Sequence, residues 1–302
     1  MIQRTVNSIG FIGLGIMGRH MAGHILAAGH KVNLFNRSRG SAESLLAKGA
    51  VWHDEPGAVA AASDVVITMV GYPADVEQVY LGAGGLIERA RRGNVLIDAT
   101  TSSPSLAQRI AAAAAENGVT ALDAPVSGGE VGARDAKLAI MVGGDAQVFE
   151  WVRPILNLMG SNVARMGGPG AGQHTKMANQ IAIASTMMGV SESLAYAREA
   201  GLDLDTVLKV IGTGAASSFL LNNLGPRMTT ADYAAGFYVH HFVKDLGIAL
   251  DEAERMGLNL PGLALAKRLY EQLAGQGHAT DGTQAFYRLY EAKARLERDN
   301  RP

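Results

Sequence analysis

The stretch 8-SIGFIGLGIMG-18 decides the fold. It opens as a short apolar run and ends in glycines at 13, 15 and 18. The following 19-RHMAGHILAAGH-30 has helical spacing and a stop glycine at Gly29, and 31-KVNLF-35 is a second strand. Strand, glycine turn, helix and strand form one βαβ unit. Within it, Gly13-Leu14-Gly15-Ile16-Met17-Gly18 is a G-x-G-x-x-G. The first glycine permits the tight turn, the second admits a pyrophosphate to the backbone, and the third lets helix pack on strand. Alone, the hexapeptide is equally a glycine-rich structural turn. At the head of a βαβ unit it points to dinucleotide binding.

The alternation continues. Helices are expected over 41–48, Asp75 to Tyr80 and "PSLAQRIAAAAAENG", and strands in "DVVITMV", "NVLIDAT", "TALDAP" and "KLAIMVGG". "AQVFEWVRPILNLMG" adds a helix, and a short strand is expected around Val163. Such alternation demands a mostly parallel sheet with helices on both faces. After Gly172 the strand signals stop, and "LDTVLKVI", "HHFVKDLGIALDEAERMG", "LALAKRLYEQLAG" and "TQAFYRLYEAKARLE" all read as helix. The fold class is therefore α/β: a doubly wound Rossmann-type domain over 1–169, then an all-α domain over 170–302, joined by a long apolar helix from about Gln173 to Ala200. That helix is apolar on nearly every side, so burial all round is expected, between the domains and against another copy of the chain.

Composition narrows the function. With 302 residues, 48% of them hydrophobic, the chain can build two domains with sizeable cores. A net charge of -1, from 27 basic and 28 acidic residues, offers no footprint for nucleic acid or an anionic membrane. The run Ile181 to Val190 is too short to span a bilayer, which takes about 18 residues or more. Arg4 before an apolar stretch imitates a secretion signal, but the glycine-patterned strand and turn accounts for it. With no cysteine there is neither a disulfide framework nor a thiolate site, and cytoplasm is the default compartment.

Three further groups carry chemistry. Where an acidic residue would bind the ribose of NAD, the second strand ends in Asn36-Arg37-Ser38. Arg37 can lie against a 2′-phosphate, with Asn36 and Ser38 donating to it, which favours NADP and leaves NAD possible. The plainer reading of Arg37 is a solvated loop arginine. At the end of "TALDAP", the segment Ser127-Gly128-Gly129 offers a hydroxyl and consecutive N–H groups that suit a substrate carboxylate. Finally, "GPGAGQHTKMANQ" (168–180) sets Lys176, Asn179 and Gln180 on one face at the start of the long helix. The positive end of a helix dipole is a poor place for a structural cation. That dipole and desolvation both push a lysine toward giving up its proton near neutral pH, which makes Lys176 a candidate general acid. The adjacent His240 and His241 point in different directions and have no third partner at helical spacing, so no metal site is expected.

These motifs, in this order and over essentially the whole chain, resemble the β-hydroxyacid dehydrogenase family of 3-hydroxyisobutyrate dehydrogenases, tartronate semialdehyde reductases and glyoxylate or succinic semialdehyde reductases. The resemblance implies an NAD(P)-dependent oxidoreductase acting on a small carboxylate-bearing aldehyde or hydroxyacid. Lys176 would be catalytic, Ser127, Gly128 and Gly129 would bind the substrate, and Met69, Val70 and Thr101 would line the cofactor. "KDL" at 244–246 adds Lys244 near the cofactor, and the assembly would be a homodimer or homotetramer. Where many relatives carry asparagine, Gln180 stands here, leaving either Asn179 or Gln180 to orient the substrate. His24 also replaces an asparagine, with little effect expected, and Glu192 is expected to be a buried or interfacial structural carboxylate. An imine reductase-like enzyme and a non-catalytic cofactor-binding module are the alternatives.

Overall fold

The computed structural model describes residues 5–291. Arg4 and the end of the last expected helix, from 292 on, lie outside the described residues. The chain divides into two compact units, one ending at Lys176 and one beginning at Met177. The sequence boundary near 169 falls seven residues earlier than this division.

The first unit is built on a nine-stranded sheet among the described residues. Its strands are β1 (Ser8–Ile12), β2 (Lys31–Phe35), β3 (Val51–Trp52), β4 (Val65–Thr68), β5 (Val95–Asp98), β6 (Thr120–Asp123), β7 (Val126–Ser127), β8 (Leu138–Gly143) and β9 (Gly160–Gly167). The order is β3-β2-β1-β4-β5-β6-β8-β7, with β9 also paired to β8. The first six strands are parallel, as the alternation requires. Strand order reverses beside β1, so the carboxyl ends of β1 and β4 open the crevice in which doubly wound sheets bind ligands.

Two strands exceed or escape the expectation. β9 runs eight residues because it pairs with β8 along nearly its whole length. β7, read from sequence as a loop, is a two-residue strand antiparallel to β8, with Ser127 opposite Ala139.

Helices α1 (Gly18–Ala27), α2 (Pro56–Ala62), α3 (Pro73–Leu81), α4 (Pro104–Glu116), α5 (Gly129–Arg134) and α6 (Ala146–Leu156) cover the sheet. Proline begins α2, α3 and α4, where its missing N–H costs nothing. Ser103 caps α4 through Leu106 N, and Asp145 caps α6 through Gln147 N and Val148 N. The strand period of two separates the faces. Val65, Ile67, Val95 and Ile97 pack with Phe11, Met21 and Phe149, while Val66 and Leu96 pack on the other side with Val59, Tyr80 and Ile110.

The second unit is helical: the larger part of α7 (Ala171–Glu199), then α8 (Leu204–Ile211), α9 (Val239–Arg255) and α10 (Pro261–Leu273). Its core joins Met187, Leu194, Phe242, Leu246, Tyr270 and Phe286. The segment "TQAF" opens not as α-helix but as a 3-10 turn over Thr283–Tyr287. No helix among the described residues is long and apolar enough to cross a membrane.

Within the single chain, α7 buries one face and exposes another. From Gln173 on, buried positions such as Gln173, Met177, Gln180, Ala184, Met187, Leu194 and Ala197 lie along one stripe. Ala178, Ala182, Ser185 and Gly189 are exposed, so the helix is not buried all round within the chain. Small side chains had made an outward face look apolar. Glu192 is exposed in the single chain, as an interfacial carboxylate would be, and its carboxylate accepts from Tyr290 Oη at 3.1 Å.

Beneath the carboxyl ends of β4 and β5 lies a buried polar chain. The Thr68 hydroxyl donates to Asp98 Oδ1 at 2.9 Å and meets Tyr80 Oη at 3.0 Å, and Thr100 N donates to the same Oδ1 at 3.1 Å. Burial pushes Asp98 up to about 6 against these hydrogen bonds, and nearby Asp123 pushes the same way. A carboxyl whose folded pKa lies above its unfolded value, about 3.9, stabilises most when protonated, and that stability is lost as pH rises through about 6. Both donors use Oδ1, which asparagine retains. Asp98→Asn is therefore expected to raise the melting temperature at pH 8, with the gain vanishing by about pH 4; thermal denaturation of both proteins across that range checks it.

Candidate active site

In the first unit, two close backbone approaches in the glycine loop after β1 leave no room for side chains. Gly13 has φ +93° and sits against the Met69 carbonyl, where a Cβ would overlap it. A Cβ on Gly18 would collide with the Gly13 carbonyl. Gly15 differs: its φ is not positive, and a Cβ there would meet nothing within 4 Å. The fold itself does not require that glycine. Leaving this side of the turn without a side chain fits a pyrophosphate resting on backbone. No side chain caps α1 and no acidic residue occupies its first turn, so no internal anion competes for the helix start. Leu14 is buried and Ile16 and Met17 are half-buried, completing the turn.

Asn36 is engaged within the fold at both ends of its amide. Its Oδ1 accepts from Leu14 N at 3.0 Å and its Nδ2 donates to the Ser38 carbonyl at 3.0 Å, so it braces the glycine loop against β2. The Arg37 side chain is 87% exposed, 3.5 Å from Asp75 Oδ1. An exposed pair of this kind is worth little and yields readily to a doubly charged phosphate. On the β4 side, Met69 N donates to Ile12 O at 2.8 Å and Val70 N to Thr100 Oγ1 at 2.9 Å. Thr101 follows on the loop after β5, between two backbone groups held by one side chain: Gln173 Nε2 donates to Thr100 O at 2.7 Å, and Gln173 Oε1 accepts from Ser102 N at 2.9 Å.

Gly128 and Gly129 have φ +134° and +61°, a pair of left-handed conformations that only glycine adopts cheaply. They turn the chain from Ser127 into α5 and leave its backbone uncovered by side chains. α5 is fastened to α1: Glu130 Oε1 accepts from Arg19 at 2.9 Å, and His24 Nε2 lies 2.9 Å from Ala133 O and 3.1 Å from Arg134 O. The histidine expected to matter little thus ties the helix behind the Ser127 loop to the helix behind the phosphate loop. Lys176, in the second turn of α7, is only 6% exposed.

In the second unit, the two amides of α7 are not equivalent. Asn179 Nδ2 donates to Gln180 Oε1 at 2.8 Å, and Gln180 Nε2 donates to Asp245 Oδ2 at 2.5 Å. Asp245 is fully buried, and its other oxygen lies 3.1 Å from Lys244 Nζ. Lys244 is thus the counter-ion of a buried carboxylate, which the sequence did not single out. Phe237 stacks on His241 at 6.4 Å, and burial, helped by His240 and Lys244, pushes His241 down to about 4.

Comparison with known proteins agrees with both halves. The NAD binding domain of 6-phosphogluconate dehydrogenase matches residues 8–168, and the NAD-binding domain of NADP-dependent 3-hydroxyisobutyrate dehydrogenase matches 170–290. An uncharacterised oxidoreductase of Bacillus subtilis is 56% identical over 94% of this chain and 98% of its own length. The 2-hydroxy-3-oxopropionate reductase of Escherichia coli is 41% identical over 89% of this chain and 92% of its own. Among solved structures, the 3-hydroxyisobutyrate dehydrogenase of Mycobacterium tuberculosis with L-serine superposes with a TM-score of 0.88 at 30% identity, covering 94% of this chain and 99% of that one.

The glycines make opposite predictions. Gly15→Ala is expected to keep the parent melting temperature and to lose NADPH affinity. Gly18→Ala is expected to lose on the order of 1–3 kcal/mol of stability through overpacking. Thermal melts beside NADPH fluorescence titrations separate the two.

Proposed function

The chain belongs to the β-hydroxyacid dehydrogenase family, NAD(P)-dependent oxidoreductases acting on CH–OH donors, and on that premise we propose that it interconverts a small semialdehyde and its β-hydroxyacid, with Lys176 as the acid–base group. The observation that carries this reading is Lys176 itself: buried, and one helical turn after the glutamine that grips the loop on both sides of Thr101. The 2-hydroxy-3-oxopropionate and 3-hydroxyisobutyrate named for its relatives share a carboxylate one carbon removed from the reacting carbon, which suits the Ser127–Gly129 loop.

The bound nicotinamide supplies hydride in one direction and accepts it in the other. Ser127 Oγ and the N–H groups of Gly128 and Gly129 hold the substrate carboxylate. Lys176 Nζ gives a proton to the substrate oxygen during reduction and takes one back during oxidation. Burial keeps water from competing for that proton. Gln180 is occupied at both ends of its amide, so Asn179, which keeps Oδ1 and a second amide hydrogen, is the residue that orients the substrate. Gln180 in turn orients Asn179. Arg37 releases Asp75 to take the 2′-phosphate, and NADP is the proposed cofactor. Without cysteine the chain makes no demand on an oxidising compartment, and cytoplasm is its proposed location.

The test is a panel of semialdehydes and hydroxyacids run with NADPH and with NADH and read at the nicotinamide absorbance band. The parent is expected to turn over at least one, preferring NADPH, and Lys176→Ala to lose a factor on the order of 10² to 10⁴ in kcat while still binding cofactor. Undiminished turnover in that variant would remove the proposed acid. The exposed small-residue face of α7, ending in Tyr196 at 78% exposure, is the proposed contact with a second copy. Sedimentation at micromolar concentration is expected to show a dimer or tetramer; a species of 31.6 kDa alone would refute it.

A further inference from the structure

The structure assigns Asp123 and Gln173 a joint role as positioning residues, a clamp that sets the acid–base lysine; the assignment rests on the reading of Lys176 just proposed. Asp123 ends β6 and is 3% exposed. Its Oδ1 accepts from Gly170 N at 2.7 Å and its Oδ2 from Gln173 N at 2.8 Å, so one carboxylate takes two amides at the start of α7. Capping residues usually come from the segment just before the helix; this one lies 47 residues upstream, on another strand. The fit is close on both sides. A Cβ on Gly143 would overlap Oδ1, and one on Gly172 would stand 2.8 Å from Oδ2.

Gln173 makes the second half of the clamp. It is fully buried, and its amide bridges Thr100 O and Ser102 N. That loop is held in turn, through Thr100 N to Asp98 and Thr100 Oγ1 to Val70 N. The helix start is therefore joined by four hydrogen bonds to two segments: the strand leading into Ser127 and the loop bearing Thr101. Lys176 lies three residues after Gln173, on the same side of the helix. A helix free to rotate or slide by a fraction of a turn would carry Nζ away from the reacting oxygen. Proton transfer tolerates little of that, since a misplacement of about 1 Å costs on the order of 10²-fold. With the sheet fixed, these two residues decide where the ammonium stands.

A purely structural role would lower stability alone, because removing Gln173 strands a buried carbonyl and a buried N–H. The discriminating experiment is a double-mutant cycle with Lys176, run well below the melting temperatures, with folded fraction checked by circular dichroism. Gln173→Ala is expected to lower kcat by about 10- to 100-fold while the KM for NADPH stays within about threefold. In a Lys176→Ala background the same substitution is expected to change residual turnover by less than about twofold, because there is no longer an ammonium to misplace. Gln173→Glu keeps the acceptor for Ser102 N but donates to Thr100 O only when protonated, so its kcat is expected to recover relative to the parent as pH falls. Asp123→Asn, which keeps one of two acceptors, provides a milder variant if Gln173→Ala does not fold. Equal losses with and without Lys176, or full kcat in both Gln173→Ala and Asp123→Asn, would overturn the clamp. Full turnover in Lys176→Ala would instead overturn the acid assignment.

Discussion

A single buried carboxylate organises the functional half of this molecule. Asp123 gives up water and receives two backbone N–H groups in return, at the point where a 29-residue helix begins. Burial pushes its acid up and those amides pull it down, so its charge is tolerated only while the helix start remains in place. Everything downstream inherits that constraint. Gln173 is presented to the loop after β5, Lys176 follows one turn later, and the amides at 179 and 180 continue along the same helix.

Around this anchor, backbone is brought close to backbone by leaving out side chains. Gly13 and Gly18 close the turn after β1, Gly128 and Gly129 turn the chain from Ser127 into α5, and Gly143 and Gly172 make room for Asp123. Each glycine forfeits some conformational entropy on folding, of order 0.5–1 kcal/mol relative to alanine. The return is different at each place: packing at Gly13, Gly18, Gly143 and Gly172, and access for a ligand at Gly15.

The buried charges of the second unit follow a related economy. Asp245 lies in the core of the helical unit and has two partners, the Lys244 ammonium and the Gln180 amide. Leaving such a carboxylate without them would cost several kcal/mol. Because Gln180 is held by Asp245, its oxygen faces Asn179 in a defined orientation. The buried ion pair thereby sets the orientation of Gln180, and Gln180 that of Asn179.

The doubly wound sheet, the glycine turn after β1 and the helical second half were legible in the sequence because each rests on a local period or a short glycine spacing. So was the family, since its motifs are local as well. What stayed hidden needed two distant segments at once. Asp123 reads as the last residue of a strand and Gln173 as one polar residue in a helix; only the packing of α7 onto β6 and the loop after β5 shows that they hold one another. Asn36 and His24 were read as phosphate donor and neutral replacement, yet their partners, Leu14 N and the end of α5, are fixed by tertiary contacts. Which face of α7 the chain itself buries could not be read from the sequence either, because small residues look apolar whichever way they face. Sequence alone determined which elements form and which chemistry they carry; the tertiary structure decided which polar groups meet, since hydrogen bonds across 47 or 65 residues depend on geometry that no local pattern encodes.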